Sequence, residues 1–189
     1  SEVRSLLRQF GLAVVVETGA RFLLNPHVKH DPTLLSTDKA DRTRRIDFLI
    51  RSIDIARELD AEAVSFWSGT LKESISHEQA FDRITGAIEP VLAHAEACRM
   101  RLAFEPEPGM FIDTMARYAT LKDRLPSPYF GLTLDIGHLH CLDDGNIADQ
   151  IHRWRESLWN IHIEDMRRGV HEHLMFGEGE IDFPPVLRA

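Results

Sequence analysis

Three stretches decide how this chain reads: Leu102-Ala-Phe-Glu105, Leu132-Thr-Leu-Asp135-Ile-Gly-His138 and Ile161-His162-Ile-Glu-Asp165. Each opens as an apolar run of strand length and ends on a carboxylate or an imidazole. Runs so short and so apolar suit strands covered on both faces, as in a parallel sheet. In an α/β barrel the C-terminal ends of such strands meet on one face, where active sites are built. Carboxylate oxygen and imidazole nitrogen together suit one divalent metal ion, Mn²⁺, Mg²⁺, Co²⁺ or Zn²⁺.

Working outward, apolar runs alternate with amphipathic stretches along the whole chain. Upstream, the pattern predicts helices over 3–10, 41–59 and 76–100, with strands over 12–16 and 63–67. Ser76 followed by Gln79 reads as a capping box, and Pro90 should bend or divide the helix that it opens. Downstream, strands are expected over 102–105, 130–135 and 159–163, with helices over 113–125 and 147–158. Residues 167–182 read as a Gly-rich, charged loop, and Phe183 onward as the first turn of another helix.

Five strands alternating with helices imply right-handed crossovers and a parallel sheet. The doubly wound alternative needs phosphate-binding glycines after its first strand, and Glu17-Thr-Gly-Ala offers no GxGxxG. The fold class is therefore α/β, a (β/α)₈ TIM barrel. Such barrels usually take about 250 residues, against 189 here. The expectation is one partial barrel domain over 1–189, with the first strand and the last two missing.

Composition narrows the function. Acidic residues outnumber Lys plus Arg by 30 to 22, a net charge of −8, which disfavours nucleic acid as a partner. Arg42, Arg44, Arg45 and Arg51 do cluster, but they read as the solvated face of a helix. Two cysteines, Cys98 and Cys141, are too few for a disulfide framework and read as reduced thiols. No apolar stretch has membrane-spanning length, and no signal peptide is evident, so the expected location is cytoplasmic, with no membrane partner.

Taken in order, Phe104-Glu105-Pro-Glu107-Pro-Gly109, Asp135-Ile-Gly-His138, Ile161-His162-Ile-Glu-Asp165 and Phe176-Gly-Glu-Gly179-Glu-Ile-Asp182 resemble the xylose-isomerase-like TIM-barrel superfamily. That group holds sugar and sugar-phosphate isomerases, ketose 3-epimerases, inosose dehydratases and endonuclease IV. The resemblance implies that Glu105, Asp135 and His162 bind the metal. A fourth ligand, a Glu on the last strand, has no counterpart in this chain. It also implies that Glu105 is catalytic, one member of an acid/base pair that moves a proton beside a carbonyl. His138 resembles a substrate-binding His of these families, and Arg168 an Arg that contacts substrate oxygens. Glu107, His173 and Trp67 are expected on loops over the same face, as further substrate-binding groups.

The chain departs from endonuclease IV. The imidazoles of a three-metal cluster are missing at Glu17-Thr18 and Trp67-Ser68-Gly69, and His171 stands where that enzyme has Asp. The leading expectation is a metal-dependent sugar or sugar-phosphate isomerase or epimerase, with a small-molecule sugar or sugar phosphate as its partner. Alternatives are an inosose-type dehydratase, an endonuclease IV-like phosphodiesterase, or a non-catalytic barrel fragment. Lacking the final Glu, the 189-residue chain is expected to bind metal weakly and to be inactive, and its open edges to favour a homo-oligomer. His140, with His27, His30, His77, His94 and His152, reads as structural or solvated, as Trp154 and Trp159 read as packing aromatics.

Overall fold

A computed structural model describes residues 1–19 and 21–189. Five strands form one parallel sheet in sequential order: β1 (Val15–Glu17), β2 (Ala63–Phe66), β3 (Arg101–Phe104), β4 (Phe130–Asp135) and β5 (Leu158–His162). Helices α1 (Glu2–Gln9), α2 (Lys39–Leu59), α3 (His77–Cys98) and α4 (Met115–Arg124) precede or join them. Between β4 and β5 lie α5 (Ile136–Leu142) and α6 (Ile147–Trp154), and α7 (Phe183–Arg188) closes the described chain. A strand order that never reverses belongs to a barrel rather than a doubly wound sheet.

The sheet is strongly curled. Laid flat, four strand spacings of about 4.8 Å would part β1 from β5 by about 19 Å. Instead Asn160 Nδ2 of β5 donates to Glu17 Oε1 of β1 at 2.9 Å. Small residues inside the curl permit this. The register aligns Glu17 with Ser65, Ser65 with Ala103, and Asp135 with His162. Across the interior, Thr133 Oγ1 donates to Ser65 Oγ at 2.9 Å, linking alternate strands as barrel layers do.

The outward positions are large and apolar. Phe66, Phe104 and Phe130 are buried between sheet and helices, with ring centroids 5.2–6.4 Å apart, and Tyr118 of α4 lies 23° from the plane of Phe104. Burying a Phe side chain fully is worth about 1.5–3 kcal/mol, so this outer layer sets the strand register. Every second residue then turns inward, and the ends of β3, β4 and β5 present Glu105, Asp135 and His162 to one mouth.

Several local expectations need correction. Pro90 does not divide α3, which runs unbroken from its reciprocal Ser76–Gln79 capping box to Cys98. Residues 167–182 are not one loop: β6 (Asp165–Arg167) pairs antiparallel with β7 (Val170–Leu174) in a hairpin. Asp135 directly opens α5, which places Cys141 inside a helix. The helix from Ile147 stops at Trp154, four residues early. Arg45 is not on the solvated face of α2; it is fully buried, its guanidinium 4.5 Å from the Trp67 ring.

Candidate active site

Asp135 does two jobs because it sits where β4 becomes α5. Its Oδ1 caps the helix, accepting the backbone N–H of His138 at 3.1 Å. Its Oδ2 remains free to face the mouth, 3.7 Å from His162 Nδ1 and 3.6 Å from His138 Nε2. Glu105, at the end of β3, is 6% exposed, and its Oε1 accepts from His162 Nδ1 at 2.9 Å. The second imidazole nitrogen, Nε2, meets Glu17 Oε1 at 3.0 Å.

Three carboxylates thus surround one ring, and they hold the His162 imidazolium strongly, raising it to about 12. Asp135 contributes most, followed by Glu105 and Glu17. At 3.7 Å Asp135 lies beyond hydrogen-bond reach, so we assign its effect to charge. Burial opposes ionisation of Asp135 itself. The neighbouring His162 and His138, together with the backbone N–H of His138, outweigh that and hold its carboxyl below the usual range.

His138 is fixed by its other nitrogen. Nδ1 lies 3.1 Å from the carbonyl oxygen of Pro106 and donates to it, which leaves Nε2 as the free lone pair when the ring is neutral. That Nε2 is buried and has no hydrogen-bond partner among the described residues. One donor atom each from Glu105, Asp135 and His138 lie within 4.8 Å of one another, and so do donors from Glu107, His138 and His171. A buried lone pair aimed among buried carboxylates needs a partner from outside the chain, which a substrate hydroxyl or a cation would supply. The donor set, oxygen with imidazole nitrogen, fits a divalent metal.

The other expected residues divide. Glu107 joins the cluster, its Oε2 3.8 Å from His138 Nε2. Burial raises its carboxyl to about 7, helped by the charges of Glu105 and Asp135 and opposed by His138. The His173 ring centroid is 6.3 Å from that of His138, and its Nδ1 pairs with Glu164 at 2.6 Å. Arg168 turns elsewhere: its guanidinium pairs with Asp143, and its backbone N–H donates to Glu180. Trp67 is 5% exposed and packs against His30 and Arg45.

Sequence reasoning gave no role to Glu17 or Asn160, which meet His162, nor to Glu164. Glu17 carried a usable signal, a carboxylate at the C-terminal end of a strand. His171 lies with its ring centroid 4.9 Å from that of His138.

The sequence model of a family described as "xylose isomerase-like TIM barrel" matches residues 1–189. The L-ribulose-5-phosphate 3-epimerase UlaE of Shigella flexneri serotype 5b is 22% identical over 172 residues, covering 89% of this chain and 60% of that protein. The chain therefore spans about 60% of the length of the curated relatives it matches. Among solved structures, a D-tagatose 3-epimerase-like protein superposes with a TM-score of 0.82 at 22% identity, covering 98% of this chain and 68% of that one. The IOLI protein with a bound zinc atom gives 0.76 at 16% identity, covering 100% and 67%. These likenesses establish the fold as that of a partial TIM barrel, and the curated relatives are sugar epimerases. The chain belongs to the xylose isomerase-like TIM-barrel family.

Proposed function

We propose that this chain carries the metal-binding and proton-transfer part of a divalent-metal-dependent sugar or sugar-phosphate isomerase or epimerase. The observation that carries the reading is the meeting of Glu105, Asp135 and His162 at the ends of three adjacent strands, within 2.9–3.7 Å contacts. These three residues would hold the ion. When bound, it would supply Lewis-acid stabilisation of the oxyanion that forms as a proton leaves the carbon beside a carbonyl.

Glu105 is the proton carrier in this reading. Its Oε1 already accepts a hydrogen bond, and its burial keeps bulk water from competing for the substrate proton. Asp135 keeps its position through the helix cap, which also ties the backbone of His138 to the site. His138, anchored on the Pro106 carbonyl, presents Nε2 to a substrate hydroxyl. Glu107 and His173 line the same approach. The named activity of the curated relatives, 3-epimerisation of L-ribulose 5-phosphate, makes a ketose or its phosphate the substrate to try first.

The test is deuterium exchange. L-ribulose 5-phosphate or D-tagatose is incubated in heavy water with Mn²⁺ and a full-length barrel carrying these residues, since the 189-residue chain spans only about 60% of its relatives' length, and is followed by proton NMR. Loss of the signal from the carbon beside the carbonyl is expected, and should vanish in Glu105→Gln. Exchange that Glu105→Gln leaves unchanged, or none with any ketose or ketose phosphate, would overturn the proposal.

A further inference from the structure

A second group of metal-ligating side chains lies far from the mouth, on the outer helices. Asp54 of α2 faces His94 and Cys98 of α3, and one donor atom from each lies within 4.8 Å of the others. His94 and Cys98 are four residues apart and so share one face of α3. The end of α3 leads into the start of β3, which puts this group at the opposite end of the strands from Glu105. That end of a TIM barrel serves stability rather than catalysis.

The three donors gather around the His94 nitrogen. His94 Nε2 lies 2.9 Å from Asp54 Oδ1, and the same nitrogen lies 3.6 Å from Cys98 Sγ. Zinc bonds of about 2.3 Å to sulfur and about 2.0–2.1 Å to nitrogen, at a tetrahedral angle, set those two ligands about 3.5 Å apart. The observed sulfur–nitrogen spacing is therefore already that of a tetrahedral edge. The nitrogen carries either a proton for Asp54 or a lone pair for the thiol, so it cannot serve both as a hydrogen-bond partner, whereas an ion could take all three donors.

We propose that Asp54, His94 and Cys98 form a structural site for Zn²⁺ or a similar soft divalent ion, with water as the fourth ligand. Thiolate and imidazole favour zinc and cobalt over Mg²⁺, so this site selects a different metal from the oxygen-rich mouth. Carboxylate and thiolate together neutralise the ion. The ion would clamp α2 to α3, which are otherwise joined here by apolar packing. Arg57 Nη1 now lies over the site, 3.5 Å from Cys98 Sγ and 3.9 Å from Asp54 Oδ1. Its side chain is 56% exposed and free to swing into solvent.

Cobalt provides the test, because a cobalt–thiolate bond absorbs in the near ultraviolet and a carboxylate–imidazole site does not. The reduced protein is titrated with Co²⁺ under excess Mg²⁺, which occupies the mouth. A thiolate charge-transfer band should appear, be lost in Cys98→Ser, and persist in Cys141→Ala. Added Zn²⁺ should bleach it. His94→Ala and Asp54→Asn should each weaken binding at least about tenfold, since even partners one step removed from a metal cost that much. Arg57→Ala should leave binding intact or tighten it. No band in the wild-type protein, a band that survives Cys98→Ser, or one indifferent to His94→Ala would overturn the proposal. Circular dichroism of each variant confirms that it is folded. The ketose exchange reads a different site, so neither result depends on the other.

Discussion

Replacing Asp165 by Asn should loosen the segment that follows the hairpin. The Asp165 carboxylate is 2% exposed and accepts four backbone N–H groups. Met166 and Ile181 donate to Oδ1 at 2.9 and 3.1 Å, and Gly177 and Gly179 donate to Oδ2 at 2.9 Å each. The chain wraps so closely that a Cβ on Gly179 would stand 2.2 Å from Oδ1. In Asn one oxygen becomes an NH₂ group, which cannot accept, so two of the four donors lose their partner.

At about 1.5 kcal/mol for each hydrogen bond to a charged group, the low end of the usual range, the loss is about 3 kcal/mol. Opening of the exposed turn at Met175–Glu178 caps the cost, and we expect about 2–3 kcal/mol in urea denaturation. Amide exchange should accelerate at Gly177, Gly179 and Ile181. Burial opposes ionisation of Asp165, but the four N–H donors outweigh it and hold the carboxyl below its ordinary value. The stabilisation is therefore complete above the ordinary aspartate value of about 3.9 and is lost as pH falls through the lower native one. Asp165→Asn should flatten that acid limb. A loss under about 0.5 kcal/mol with unchanged exchange would refute the reasoning, because it would leave two donors unpaired at no cost.

Other expectations follow from the same geometry. In a full-length barrel, Glu105→Gln should abolish ketose exchange and lower metal affinity, whereas His138→Ala should mainly raise KM and leave metal content unchanged; metal analysis beside steady-state kinetics separates the two. Arg45→Met should leave stability within about 1 kcal/mol or raise it, because removing a buried unpaired charge is often neutral or favourable. Among the described residues the Arg45 guanidinium makes one hydrogen bond, to the Thr18 carbonyl, and burial lowers it to about 10. A loss above about 2 kcal/mol in thermal denaturation would show that its stacking on Trp67 and Phe48 outweighs its desolvation.

The strands that matter were legible because each is a dense apolar run ending on an uncommon residue, so Glu105, Asp135 and His162 could be placed before any geometry. Alternation of small inward and large outward residues then fixes which face they share. The hairpin over 165–174 was not legible: its second strand, Val170–Leu174, carries three charged or imidazole residues in five, and none is buried. Its pairing is set by tertiary contacts, including Asp165, rather than by pattern. The α5 helix was hidden because Asp135 was read only as a ligand, although Asp at a strand end is also a cap. Burial of Arg45 could not be read from a helix with so many arginines, since only the packing of Trp67 and Phe48 selects which one turns inward. Glu17 fell outside the site because it becomes a neighbour of His162 only when the sheet curls.

The central claim is that Glu105, Asp135 and His162 share one divalent ion, and anomalous diffraction from a crystal grown with Mn²⁺ tests it most directly. The account predicts a manganese peak between the two carboxylates and the His162 ring, with the Glu105–His162 hydrogen bond replaced by bonds to the ion. A crystal saturated with Mn²⁺ that shows no peak there, or a peak held by Glu107, His138 and His171 alone, would contradict it.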